Sequence, residues 1–124
     1  MSVPLTVFVI DDDEAVLDAI DGMLRLLGFT VRSFATVEAF LECSVEAPAG
    51  CVLVDVRMPG MGGVELCREL RRRQISLPTI FMTGHADEMS QRRVSDVQVT
   101  AVLQKPFSAG QLVDVVNRSL SGFA

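Results

Sequence analysis

The chain holds 124 residues, of which 49% are apolar and 22% charged, and its formal net charge is −5. That length builds one compact domain with a real core and is too short for two, and the composition excludes a disordered chain. The acidic balance argues against direct nucleic-acid binding by this domain, because gripping phosphates needs a surplus of Lys and Arg.

In chain order, apolar runs alternate with helical stripes. LTVFVI, residues 5–10, is β-branched and aromatic, as in a strand buried on both faces. Pro4 and Asp11 bound this run and no basic region precedes it, so it reads as neither signal peptide nor membrane span. Four acids follow at once: Asp11, Asp12, Asp13 and Glu14. Their mutual repulsion needs relief from solvent, a nearby cation or a bound metal. Next comes a helix with Val16, Ile20, Met23, Leu24 and Leu27 at helical spacing, stopped by Gly28. FTVRSF, residues 29–34, is a second strand, and Thr36 caps a helix that turns Val37, Phe40 and Leu41 inward.

Pro48 and Gly50 mark a loop before CVLVD, a third buried strand ending at Asp55. After the MPGMGG turn, GVELCRELRRR is a helix presenting Val64, Cys67 and Leu70 to the core, with Arg71–Arg73 as its solvated, dipole-matched end. LPTIFMT and TAVLQ are the fourth and fifth strands. Between them, residues 86–99 carry only a thin apolar stripe, which predicts a short or distorted helix. Ser108 and Gln111 form a capping box opening a last helix with Leu112, Val115, Val116 and Leu120 inward. The pattern predicts an α/β fold: a doubly wound, five-stranded parallel sheet with helices on both faces. Cys43, Cys51 and Cys67 are odd in number and lack a C-x-x-C spacing, so they read as small core hydrophobes of a reducing, cytoplasmic protein.

In open parallel sheets, sites form beyond the carboxyl ends of the strands. The first strand ends in the acids, the third in Asp55, the fourth in Thr83 and the fifth in Lys105. Carboxylates so gathered suit a hard divalent ion such as Mg2+. A carboxylate beside that ion can attack phosphorus and form an acyl phosphate, whose charge the metal, Lys105 and Thr83 would share. Helix capping explains Asp13 and Glu14 well enough, but capping alone does not explain Asp11, Asp12, Asp55 and Lys105 together.

DDDE after the first strand, DVRMPGMGG around Asp55, MTG after the fourth strand and KPF after the fifth resemble the receiver domain of two-component response regulators. The resemblance spans essentially residues 1–124 as a single domain. It implies a (βα)5, flavodoxin-like three-layer sandwich, with any output domain outside this chain. It implies phosphorylation of Asp55 by a histidine kinase or phosphotransfer protein. Mg2+ would be bound directly by Asp12 and Asp55, through water by Asp11, and by the Arg57 backbone carbonyl. Thr83 and Lys105 would meet the phosphoryl oxygens, Gly84 would leave phosphorus accessible, and Pro106 would follow Lys105 through a cis bond. Arg57 and His85 occupy the positions that tune dephosphorylation, and their bulk predicts a long-lived acyl phosphate. The wording of these motifs looks most like receivers with transcriptional outputs. Such a domain has at most slow autophosphorylation and autodephosphorylation activity, and a homodimer is compatible with it.

Two departures bear on the readout. Val102 stands where receivers usually carry Tyr or Phe, and Gln98 where glycine is usual. The loss of the aromatic favours, as an alternative, a phosphorylation-independent interaction module on the same fold, while the complete acid, Thr and Lys set counts against it. A further alternative is a haloacid-dehalogenase-like phosphatase with Asp11 as nucleophile, since Asp11-x-Asp13 also follows a first strand; that reading leaves Asp55 without a role.

Overall fold

A computed structural model describes residues 5–43, 49–58, 60–84 and 100–120. The helix expected over 86–99, with His85 and Gln98, lies outside the described residues, as do Pro48 and Pro59. The strands are β1 (Thr6–Ile10), β2 (Thr30–Phe34), β3 (Gly50–Asp55), β4 (Thr79–Thr83) and β5 (Ala101–Gln104). The described helices are α1 (Glu14–Leu26), α2 (Val37–Glu42), α3 (Gly63–Arg72) and α4 (Ala109–Leu120). All strand pairs are parallel, in the order β2-β1-β3-β4-β5, so β3 is central and β2 and β5 are the edges.

Strand alternation sorts the apolar residues into two cores. Val7 and Val9 of β1, Cys51 and Leu53 of β3, and Ile80 and Met82 of β4 pack with Ile20 and Leu24 of α1 and Leu112 and Val116 of α4. Phe8 and Ile10, Val52 and Val54, and Phe81 turn the other way, against Val37 and Phe40 of α2 and Val64, Leu66 and Leu70 of α3. Helices on both faces of one parallel sheet give the three-layer sandwich, and the continuous apolar runs of β1, β3 and β4 follow from burial on both sides.

Local chemistry sets the helix ends. Asp13 caps α1 by accepting from the N–H groups of Ala15 and Val16, and Thr36 caps α2 by accepting from Ala39. Ser108 and Gln111 form the reciprocal box at α4, at 2.8 and 3.1 Å. Gly62 has no side chain to cap α3, so only the return half forms: the Glu65 carboxylate accepts the Gly62 N–H at 3.1 Å. One expectation needs correction. Leu27 is not inward but about half exposed, because α1 ends at Leu26 and the Gly28 turn (φ 94°) swings the chain away. The Arg71–Arg73 run is exposed at the end of α3, as expected, with Arg72 and Arg73 also donating to Glu69 and Arg73 reaching the Leu41 carbonyl.

Candidate functional site

Register brings the strand ends to one rim. Ile10 pairs with Val54, Asp55 with Met82, and Thr83 with Gln104. The residues just beyond therefore emerge side by side, and Asp11, Asp55, Thr83 and Lys105 share the carboxyl edge of the sheet. One carboxylate oxygen from each of Asp11, Asp12 and Asp55 lies within 4.8 Å of the other two.

The three acids differ in setting. Asp11 is fully buried, Asp12 exposed and Asp55 between them. Lys105 reaches over from the end of β5, and its Nζ donates to Asp11 Oδ2 and Asp55 Oδ2, each at 2.9 Å. The second oxygen of Asp11 accepts the Asp13 N–H at 2.9 Å, and the second oxygen of Asp55 accepts the Arg57 N–H at 2.8 Å. Among the candidates for relieving the acidic run, a cation thus serves Asp11 directly, across 94 residues of sequence. Burial works against the Lys105 ammonium, yet its hydrogen bonds and charge attraction to Asp55 and Asp11 outweigh it and hold the pKa above the ordinary lysine value. Sequence reasoning had tied Lys105 only to a phosphoryl group; its hold on buried Asp11 was missed, since nothing local in sequence announces it.

Three carboxylates and one ammonium leave a formal charge of −2 at the rim. The donor set is hard oxygen throughout, and the net charge matches one divalent cation, so the cluster fits a metal ion of the Mg2+ kind.

Residues 7–117 match the profile of the response regulator receiver domain. The chain belongs to that family. It is 37% identical over 116 residues to the transcriptional regulatory protein FixJ of Azorhizobium caulinodans, an alignment covering 94% of this chain and 55% of FixJ. The crystal structure of FixJ-N superposes with a TM-score of 0.88 at 32% identity, covering 97% of this chain and 96% of that one. The CheY-like receiver domain protein of Methanospirillum hungatei, at 23% identity, shares the fold with a TM-score of 0.86 over 97% of this chain and 96% of its own. The chain spans about half the length of the curated relatives it matches.

The other expected positions of this receiver domain fall as follows. Thr83 is buried at the end of β4, and its carbonyl accepts the Lys105 N–H at 2.7 Å. Gly84 is exposed, and a Cβ there would meet nothing within 4 Å. The Lys105–Pro106 bond is cis. Arg57 is exposed beside Asp55. Val102 is 49% exposed on edge strand β5 and so does not pack as a buried side chain. No described helix is long and apolar enough to cross a membrane. Two glycines shape the loop after Asp55: a Cβ on Gly62 would lie 2.6 Å from the Val56 carbonyl, and one on Gly63 would lie 3.0 Å from the Phe81 ring.

Proposed function

We propose that this receiver domain accepts a phosphoryl group on Asp55, from a histidine kinase or phosphotransfer protein, in a Mg2+-dependent reaction. The change on Asp55 is passed to an output that is transcriptional in kind, as the name of the FixJ relative suggests. The carrying observation is the position of the Asp55 carboxylate, hydrogen-bonded to Lys105 and within 4.8 Å of two further carboxylates. Mg2+ would be held by Asp12 and Asp55 directly, by Asp11 through water and by the Arg57 carbonyl; when bound, it supplies positive charge against the oxygens of the transferring group.

The chain's own residues account for the rest. An Asp55 oxygen forms the new P–O bond as the donor's bond to phosphorus breaks, and the donor leaves with that electron pair. Lys105 already lies against Asp55 and offers its ammonium to the incoming oxygens, as does the Thr83 hydroxyl from the neighbouring strand end. Gly84 leaves the approach open. Arg57 and His85 hinder an attacking water, so replacing both with Ala should shorten the phosphoryl lifetime by about tenfold, a barrier change near 1.4 kcal/mol. An unchanged or longer lifetime would refute that role.

The deciding experiment incubates the protein with Mg2+ and acetyl phosphate and seeks one base-labile phosphoryl adduct. Its loss in Asp55→Asn supports the proposal. Loss only in Asp11→Asn points to the phosphatase reading. Valine in place of an aromatic at 102 favours the phosphorylation-independent module as a second reading, and the absence of any adduct would select it.

A further inference from the structure

Strand β2 is an edge of the sheet, and an edge strand carries N–H and C=O groups with no ladder partner. One bond shows which residues carry them. Across the β1–β2 ladder, the Asp11 N–H donates to the Phe34 carbonyl at 3.2 Å. In a parallel ladder a residue's N–H and C=O point the same way, and successive residues alternate. Thr30, Arg32 and Phe34 therefore address β1, while Val31 and Ser33 address the open side.

Helix α1 packs on the sheet face beside β2, and one of its side chains reaches that open side. Arg25 Nη2 donates to the outward carbonyl of Val31 at 2.7 Å. Arg25 Nε and the Ser33 hydroxyl both donate to the Asp21 carboxylate, one helical turn before Arg25. Arg25 is 58% exposed, and an exposed ion pair of this kind adds little to stability. Its geometry points to another task.

We infer that Arg25, aimed by Asp21, guards the free β2 edge against strand addition by a second copy of this chain. Identical edges meeting about a two-fold axis pair antiparallel. The outward groups of Val31 would then pair with those of the other copy's Ser33, and the register sets Arg32 directly opposite Arg32. That central pair lacks mutual hydrogen bonds, the arrangement in which side chains stand closest, and like charges there repel. Arg32 is exposed, with its guanidinium 5.6 Å from the Phe34 ring centre. Two arginines thus close one edge: Arg25 takes the carbonyl a new strand needs, and Arg32 penalises the only symmetric register that uses both outward residues.

The test compares wild type, Arg25→Ala, Arg32→Thr, the double variant and Arg118→Ala by sedimentation equilibrium, with circular dichroism to confirm folding. Arg118→Ala breaks a comparable ion pair to Asp114 on α4, away from this edge. The double variant should self-associate more tightly than wild type by roughly tenfold, the scale of one charge-assisted hydrogen bond exchanged. Each single change should do less, and Arg118→Ala nothing. Adding Ser33→Pro removes an outward N–H without touching the β1 ladder and should abolish the gain. A double variant that keeps the wild-type state, or association that survives Ser33→Pro, overturns the inference. Should Arg25→Ala fail to fold, Arg25→Gln replaces it in the same series under the same criteria.

Discussion

Replacing Lys105 with Met tests the electrostatics of the rim most directly. Lys105 is 22% exposed and holds Asp11, which has no exposed side-chain surface, and Asp55, which has 15%. Two unit charges 2.9 Å apart attract by about 6 kcal/mol at an effective dielectric near 20, before desolvation takes back most of it. Without the ammonium, Asp11 keeps one hydrogen bond, from the Asp13 N–H, and is left as a buried charge with one oxygen unserved. The expected cost is about 2–4 kcal/mol, or roughly 10 °C in Tm for a chain of this size. Thermal melts in EDTA measure that loss. Melts in Mg2+ should recover more of it in the variant than in wild type, because the rim's formal charge has gone from −2 to −3. Asp11→Asn combined with Lys105→Met should cost less than the sum of the two single changes. A Tm within about 2 °C of wild type in EDTA, or strict additivity, would show that the bridge contributes nothing.

Three other outcomes are expected. Gln74, just past α3, sits at φ 59°, where a side chain is strained, so Gln74→Gly should raise stability by about 0.5–1 kcal/mol in urea unfolding, and a loss would contradict this. Gly50 has φ 140°, and a Cβ there would lie 1.8 Å from the Thr6 carbonyl oxygen; Gly50→Ala should cost more than about 4 kcal/mol and leave little soluble protein. Burial pushes the Cys51 thiol from 9.0 up to about 12. Between those values the unfolded chain binds fewer protons than the folded one at this site, so its contribution makes stability fall as pH rises through that window. Urea midpoints in wild type and Cys51→Ala should diverge there, and iodoacetamide should spare Cys51 in the folded protein at pH 8.

Most of the frame was readable because it follows from local rules. The runs in β1, β3 and β4 are apolar at successive positions, which only burial on both faces explains, and the two cores divide them by parity. Asp13, Thr36 and the Ser108–Gln111 box sit where capping chemistry puts them. What escaped depends on distant partners. Leu66 is fully buried although it lies off the helical stripe, because α3 buries a broader face in the core it shares with Val52, Val54 and Phe81. Leu27 fits the stripe of α1 yet falls beyond its last turn. The service of Asp11 by Lys105 and the reach of Arg25 to Val31 are tertiary facts that composition and periodicity do not encode.

The carboxylate rim and Val102 also stand apart on this fold. Along β5, Leu103 is buried while Val102 and Gln104 are exposed, so side chains alternate between faces. Lys105 shares the parity of Leu103 and turns toward Asp11 and Asp55; Val102 has the opposite parity and points elsewhere. Among the described residues, a backbone bond ties this end of β5 to β4: the Lys105 N–H donates to the Thr83 carbonyl at 2.7 Å. Among the described strands β5 pairs only with β4, which makes it an edge strand and not a clamped central one. Should Asp55 be phosphorylated as proposed, valine at 102 offers no aromatic side chain to relay the change, and displacement of the β5 edge is the expected coupling.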